Sequence, residues 1–539
     1  MAGTWEFELS EANSSSPELC GYRQPDKSRH HLDGSYTYQL KVAKKITVDL
    51  NLPDFTTSSE AGKGTWTMVY DEGISANIDN MDFFAFNAYK PKAGFTMLSN
   101  IKPENYISFC HKTLIGWYNQ GLNKFGCWRG RQVKKQFPNL QLKGSAKTSN
   151  EVEFAVVSPT SFIETEANDL FDPDYSFIEM QNSDPNALWT AKVHEPFLSK
   201  TVKEMLALTG GQQFDKSMRP SAVPSSAVSA EEEAMFTSFL ESSTTVTRGS
   251  FVDTDADADD EMDEDADSDE TGNVGPGGYP VDASKTQICE YGLPCNLDWR
   301  NHRGHNWLSG MRNQGSCGSC YAMAFMTAME SRIRIKYNEP NRHRYSTQDV
   351  VSCSVYNQGC DGGFPYLVGK HVLHFGTVSE KCFPYEARDG VCGKACGERE
   401  YPLEKVNYVG GHFGGCSEEL MMKDIAENGP MVIAFEAPHA LFSYQGGIFT
   451  GPRPRVEDQG VANVKAWQHT NHAVVAVGWG HTMVNGKRER YWIVRNSWGT
   501  TWGENGYFRI RRGTDECGIE SMATTFTVKP KDQVKRTFF

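Results

Sequence analysis

Nine of the fourteen cysteines fall between Cys289 and Cys396 in a chain of 539 residues. Such crowding is the mark of a domain stapled by disulfides, and disulfides persist only in oxidising compartments. A secreted or vesicular protein of the secretory pathway is therefore expected. The length calls for several domains. A content of 39% hydrophobic, 12% aromatic and 23% charged residues is that of globular domains and excludes full disorder, collagen and coiled coil. The longest apolar run, Ala473–Trp479, falls far short of the ~20 residues a membrane helix needs, so no membrane span is expected. The net charge of −14 is local: residues 253–270 hold twelve carboxylates and no base, which leaves −2 for the rest. No strongly basic domain is present to match phosphates, which argues against a nucleic-acid partner. The chain opens on Met1-Ala2-Gly3-Thr4-Trp5 without a basic and then apolar leader, so the sequence is read as N-terminally incomplete.

Composition divides the chain. Residues 1–136 alternate short Trp-, Tyr-, Phe-, Thr- and Val-rich runs (Tyr36–Leu40, Lys45–Leu50, Gly64–Tyr70, Asp82–Tyr89, Tyr106–Tyr118) with Gly, Asn, Asp and Pro punctuation, the pattern of an antiparallel barrel or sandwich. Residues 137–292 contain amphipathic stretches, Thr201–Leu208 and Glu231–Leu240, and an Asp-, Ala- and Gly-rich linker at 249–278 that buries too little apolar surface to fold. Asp253, Asp255, Asp257 and Glu264 fit four positions of a calcium loop, but Ala258 stands where the loop needs Gly. A solvated, cleavable spacer is the better reading of that run. From residue 293 to 539 the pattern is globular again.

The chemistry concentrates in Gln314-Gly315-Ser316-Cys317-Gly318-Ser319-Cys320-Tyr321. Ala322, Phe325, Met326, Met329 and Ile333 then recur at helical spacing, which puts Cys320 at the start of a buried helix, where the dipole favours the nucleophilic thiolate. Three alternatives compete: a thioredoxin-type Cys-x-x-Cys, which would follow a strand in a βαβ unit; a purely structural disulfide, which leaves Gln314 and the glycines unexplained; and a zinc site pairing Cys317 and Cys320 with His469 and His472. The halves of that last site lie about 150 residues apart, against ~12–20 in zinc fingers. A thiolate needs a base and a residue to orient it. His472 precedes the apolar strand Ala473–Trp479; Asn485-Gly486 marks a turn; Tyr491–Arg495 forms a second strand that ends at Asn496-Ser497-Trp498-Gly499. A hairpin with one bulge makes His472 and Asn496 neighbours, with Trp498 placed to shield their hydrogen bond.

These segments resemble the catalytic signatures of the papain family of cysteine peptidases, from Leu293 to about Val528. The resemblance implies Cys320 as nucleophile, His472 as general base and acid, Asn496 as its orienting residue and Gln314 as an oxyanion-hole donor beside the Cys320 N–H. Tyr321, where most of the family has Trp, is similar to a dipeptidyl-peptidase subgroup. So are Cys360-Asp361-Gly362-Gly363-Phe364-Pro365-Tyr366, Tyr408-Val409-Gly410-Gly411 and Gly513-Thr514-Asp515-Glu516-Cys517, while residues 1–136 resemble that subgroup's β-barrel exclusion domain.

The resemblance implies a multidomain fold: an all-β exclusion domain (1–136), a propeptide region (137–292) and an α+β peptidase domain (293–539) with a helical half, a β-barrel half and a processing loop at 451–468. It implies a substrate pocket of Gly362, Gly363, Phe364, Pro365, Tyr408 and Met522, and a chloride ion on Tyr366, Tyr408 and the backbone near Phe364. No metal or organic cofactor is implied. Implied disulfides are Cys20–Cys127, Cys317–Cys360, Cys353–Cys392 and Cys382–Cys396; Cys289 and Cys295 have no counterpart and are left to pair with each other. The subgroup's exclusion domain begins upstream of Gly3 with an Asp that holds the substrate amine and a Cys that pairs with Cys110, and both are absent here. Glu6 and Glu8 are the nearest acidic residues, but they alternate with Trp5 and Phe7 and so belong on a solvent-facing side. The implied activity is removal of dipeptides from free N-termini through a thioester. The implied partners are peptide and protein substrates, an activating protease and three further copies in a homo-tetramer. The implied setting is a lysosome-like vesicle or the exterior. A plain endopeptidase and a non-catalytic peptide-binding protein are the alternatives.

Overall fold

The computed structural model describes residues 1–13, 20, 40–52, 55–59, 62–70, 73–91, 106–121, 124–136, 169–209, 221–222, 287–392, 398–451 and 470–537. The acidic run 253–270, the linker 249–278, Glu231–Leu240, Cys396, loop residues 452–468 and all of Tyr36–Leu40 except Leu40 lie outside them.

The N-terminal domain is built from β1 (Gly3–Leu9), β2 (Lys44–Leu50), β3 (Thr56–Ser59), β4 (Gly62–Val69), β5 (Gly73–Ile78), β6 (Met81–Pro91), β7 (Tyr106–Thr113), β8 (Gly116–Asn119) and β9 (Phe125–Lys135). Antiparallel pairing runs β1-β2-β3-β4-β5-β6-β8-β9, and β9 returns onto β1, so the sheet closes into a barrel with no free edge on that circuit. The expected run Tyr106–Tyr118 is in fact two strands, β7 and β8, separated at Leu114–Ile115. Along β1, Trp5, Phe7 and Leu9 point into the barrel, which Val48, Ile78, Phe83 and Trp128 fill. Glu6 and Glu8 face outward, as their alternation requires: Glu8 binds Lys45 (2.6 Å) and Arg129 (2.7 Å), and Glu6 binds Lys45 (3.3 Å). Cys20–Cys127 fastens the segment after β1 to β9.

The next described stretch holds α1 (Tyr175–Ser183), β10 (Trp189–Ala191), α2 (Glu195–Leu198), α3 (Val202–Leu208) and β11 (Ser221–Ala222). Thr201 and Glu204 cap α3 reciprocally, each side chain bonding the other's backbone N–H. This stretch is no independent domain. Strand β10 pairs with a peptidase strand, and β11 pairs in parallel with β7 of the barrel.

The peptidase domain comprises β12 (Leu297–Asp298), α4 (Cys320–Tyr337), α5 (Thr347–Cys353), α6 (Pro365–Phe375), β13 (Arg399–Tyr401), β14 (Leu403–Tyr408), α7 (Glu418–Asn428), β15 (Met431–Phe435), β16 (Tyr444–Phe449), β17 (His472–Val484), β18 (Lys487–Arg495), β19 (Tyr507–Arg511), β20 (Ala523–Val528) and β21 (Lys535–Thr537). Its main sheet runs β10-β16-β19-β18-β17-β15-β20-β14, with β12 on β17. Helix α4 crosses between the halves, and every residue from Cys320 to Arg334 is buried. The helix is buried, as its apolar spacing predicts, and its charges are neutralised inside. Glu330 pairs with Arg312 at 2.6 Å, and Arg332 pairs with Asp424 at 2.5 Å. Two cores result. One joins the outer face of the barrel (Phe84, Phe86, Trp117) to the helical half around α4; the other joins Trp189, Phe197, Met205 and Leu208 to the β half.

Candidate active site

The β17–β18 hairpin turns through Asn485 (φ 50°) and Gly486 (φ 75°), the left-handed pair that a type I′ turn requires. Its register slips between Ala476 and Gly478, so one bulge absorbs the unequal arm lengths expected from the sequence. His472 therefore opens β17 beside Asn496, which follows β18, and the imidazole Nε2 lies 2.8 Å from the Asn496 amide oxygen. The Trp498 ring stacks over the imidazole with centroids 5.1 Å apart, and Phe442 and Trp502 hold that indole in turn. Burial pushes the His472 imidazole down to about 4, against the upward pull of the Asn496 bond. Its Nδ1 has no hydrogen-bond partner among the described residues.

Cys320 is the first residue of α4, which packs on β17. Gln314, fully buried, is tied into the same unit: its N–H donates to the Ser497 carbonyl (2.9 Å), and its amide oxygen accepts from the Ser497 hydroxyl (2.6 Å). The chain thus reaches Cys320 through a turn anchored on the residue next to Asn496. Gly318 is required at that turn, because a Cβ there would sit 2.5 Å from the Cys360 carbonyl oxygen. Cys317 is bonded to Cys360, which removes it from both the dithiol and the zinc readings of Cys-x-x-Cys. Cys353–Cys392 and Cys289–Cys295 also form; Cys382 is disulfide-bonded, and its expected partner Cys396 lies outside the described residues.

Segment 201–209 covers this constellation. The Gln314 side-chain N–H donates to the Cys317 carbonyl (3.1 Å) and to the Ala207 carbonyl (3.3 Å), and the Trp498 indole N–H donates to the Leu208 carbonyl (3.2 Å). Ser316 bonds Glu204 at 2.9 Å. The carbonyl end of α3, the negative end of its dipole, thus faces the donor expected to serve an oxyanion.

The expected pocket residues gather at the start of α6. Gly363 packs on Tyr321, whose ring lies 2.8 Å from where a Cβ would stand; Pro365 is the buried first residue of the helix; Met522 lies buried on the neighbouring β half. Gly362 caps the preceding turn at φ 118°. The rings of Tyr366 and Tyr408 stack at 4.7 Å. The Tyr408 hydroxyl is buried without a partner of hydrogen-bonding geometry among the described residues, and the Tyr366 hydroxyl bonds Ser75 of the barrel at 3.1 Å. The Phe364 N–H donates to the Asn357 side chain at 2.8 Å, so the backbone there is engaged within the protein and not offered to an anion.

Sequence reasoning missed what the barrel brings. Tyr70 lays its ring on Phe364 (4.3 Å) and against Phe413 (5.4 Å). Asp82 crosses the interface to Lys370 Nζ (2.6 Å) and His374 Nε2 (2.8 Å). Burial alone would raise Asp82, but the Lys370 charge and the His374 bond outweigh it and hold the carboxyl well below the usual carboxylate range. Lys370 and His374 stand one helical turn apart on α6, the only hint the sequence offered.

The family model for "Papain family cysteine protease" matches residues 293–527, and that for "Cathepsin C exclusion domain" matches residues 1–132. The chain is 28% identical to cathepsin C of Schistosoma mansoni over 97% of this chain and 92% of that protein. It is 27% identical to dipeptidyl aminopeptidase 1 of Plasmodium falciparum (isolate 3D7), over 85% of this chain and 78% of that one. Cathepsin Z of Onchocerca volvulus is 36% identical over 40% of this chain and 70% of its own length. With its Cys, His, Asn and Gln gathered where one helix start meets one hairpin end, the chain belongs to the papain family of cysteine proteases and carries a cathepsin C exclusion domain at its N-terminal side.

Proposed function

We propose that this protein is a cysteine-type dipeptidyl peptidase that releases dipeptides from free N-termini, made in a form in which residues 137–292 act as a propeptide. Cys320 attacks the scissile carbonyl after His472 takes its proton, and Asn496 holds the imidazole in the productive orientation. Gln314 and the Cys320 N–H receive the developing oxyanion. His472 then protonates the leaving amine, and water resolves the thioester by the reverse sequence. The observation that carries the reading is the junction of Tyr70 with Phe364, which sets a barrel residue against the start of the helix that bears the expected pocket; in this reading the barrel walls one end of the groove and limits it to two residues and a free terminus.

In this reading Gly362, Gly363, Phe364, Pro365, Tyr408 and Met522 form the substrate pocket. The buried Tyr408 hydroxyl, which meets the Tyr70 backbone, has its own hydrogen to offer an anion such as chloride beneath it, with Tyr366 as second donor; the engaged Phe364 N–H does not favour the ion. The ion would fix the pocket floor, and no chemical step passes through it. An activating protease would cut within 249–278 and 451–468, and a homo-tetramer in a lysosome-like vesicle is the proposed setting. Among the described residues no helix is long and apolar enough to cross a membrane.

The test compares wild type and Cys320→Ser on a free dipeptidyl substrate and on its N-blocked counterpart. Turnover confined to the free substrate and abolished in C320S supports the proposal. Cleavage of the blocked substrate at equal rate makes the protein an endopeptidase, and turnover retained in C320S removes Cys320 from the chemistry.

A further inference from the structure

A serine at a helix N-cap ordinarily turns its hydroxyl onto the second or third N–H of the helix. Ser319 occupies the N-cap of α4 and does not: its side chain makes no capping bond. Its Oγ lies instead 2.5 Å from the hydroxyl of Tyr385, a residue of the loop beyond α6 that plays no part in the constellation described so far. Tyr385 donates to the Gln314 carbonyl at 2.9 Å. A phenol has one hydrogen, and it is used on Gln314, so the Ser319 hydroxyl donates its own hydrogen to the Tyr385 oxygen.

Tyr385 is itself held rigidly. Its backbone N–H donates to Glu380 at 2.9 Å, Glu380 lies 3.4 Å from Arg312, and Arg312 pairs with the buried Glu330 inside α4. Ser319 precedes Cys320, and Gln314 supplies the side-chain donor, so one phenol oxygen touches the residue behind each arm of the oxyanion hole.

We propose that Tyr385 is a positioning residue for the oxyanion hole, which fixes the Gln314 backbone and keeps the Ser319 hydroxyl turned away from the start of α4. The inference rests on the catalytic roles proposed above for Cys320 and Gln314. Without the phenol oxygen, the Gln314 carbonyl loses the shorter of its two bonds and keeps only the Cys317 N–H at 3.2 Å. Ser319, released, adopts the ordinary capping position and places its oxygen lone pairs over the positive helix end. Both changes weaken stabilisation of charge that develops during reaction, and neither touches the pocket that binds the substrate.

The experiment uses the full-length protein, activated in parallel with wild type, and three variants: Tyr385→Phe, Ser319→Ala and the double variant. Y385F should lower kcat about tenfold with KM within about twofold, as expected for misplaced oxyanion donors. It should also move the pH profile of Cys320 alkylation by iodoacetamide to higher pH. Removing Ser319 in the Y385F background should return that profile toward wild type and recover part of kcat, because the released cap is gone. Wild-type kcat in Y385F, a loss carried by KM, or a loss and profile that S319A leaves untouched would each overturn the proposal. Turnover retained in C320S would sink the catalytic roles instead, which keeps the two failures distinct.

Discussion

The exclusion barrel and segment 169–209 both lie on the peptidase domain, and they are attached by different physics. The barrel docks on the helical half through side chains. These are the buried Asp82–Lys370–His374 cluster, the Ser75–Tyr366 bond, the Thr67 hydroxyl on the Phe413 N–H and the Tyr70–Phe364–Phe413 aromatic group. Segment 169–209 docks on the β half through backbone as well as side chains: β10 lengthens the sheet beside β16, the carbonyls that end α3 take hydrogen bonds from Gln314 and Trp498, and Trp189, Phe197, Met205 and Leu208 enter that half's core. Side-chain recognition survives a cut in the connecting chain, because each contact is a local fit. The backbone part of the second attachment is the more replaceable, because solvent or a substrate carbonyl can take over each of those bonds at little cost. The difference matches a permanent wall and a removable cover.

The largest effect should come from the barrel side. Asp82→Ala leaves Lys370 buried and unpaired, which costs about 3–5 kcal/mol. Thermal unfolding should show it, and loss of the wall should let N-blocked substrates in. Asp82→Leu combined with Lys370→Met should recover much of the stability, since breaking a buried pair is worse than replacing it. An unchanged melting temperature in D82A would break the comparison at its stronger end.

The cover should respond to pH. Burial holds His472 at about 4, below the ~6.5 of an unfolded chain. A depressed folded pKa means this arrangement is most stable above 6.5 and loses up to about 3 kcal/mol as the pH falls toward 4, because the imidazole must be rehydrated to accept a proton. Acid should therefore speed release of segment 169–209, followed as the rate of Cys320 alkylation in the uncut chain. A rate that does not rise between pH 7 and 5, beyond the change seen in a free thiol, would show that the cover does not depend on a neutral His472.

A smaller effect belongs to α3. Glu204→Ala removes half of the capping box and the Ser316 bond, a loss of about 1 kcal/mol. Activity of the uncut chain should rise severalfold while that of the processed enzyme stays at wild type. The smallest effect is predicted at the barrel surface. Glu8→Gln breaks a partly exposed pair with Lys45 and Arg129, worth under about 1 kcal/mol. KM for a free dipeptidyl substrate should be unchanged, because Glu6 and Glu8 are occupied by surface bases; a large rise in KM would make Glu8 the holder of the substrate amine.

Much of the site was legible before any coordinates. The spacing of Gln314, Cys320, His472 and Asn496 reports on local structure, a helix start and the two ends of one hairpin, and local structure is written in periodicity and in turn residues such as Asn485-Gly486. The same holds for β1, where alternation assigned Trp5 and Phe7 inward and Glu6 and Glu8 outward. The implied Cys317–Cys360 bridge is present as well. Nothing polar in Tyr106–Tyr118 marks the break at Leu114–Ile115 that makes two strands of the run, and nothing near Glu330 and Arg332 in the sequence names Arg312 and Asp424, the partners that let α4 bury its charges.

What the sequence by itself determined is the set of elements and which of their ends carry chemistry, since propensity, capping and alternation act over a few residues. Only the tertiary structure decided which elements meet across long chain separations. Asp82 and Lys370 lie 288 residues apart, Ala207 and Gln314 lie 107 apart, and Ser319 and Tyr385 lie 66 apart. A carboxylate, a carbonyl or a phenol carries no record of its future partner. Those meetings are selected by the packing of whole faces, the outer face of the barrel on α6 and β10 on β16, which bring the polar pairs together once apolar burial has set the domains in place.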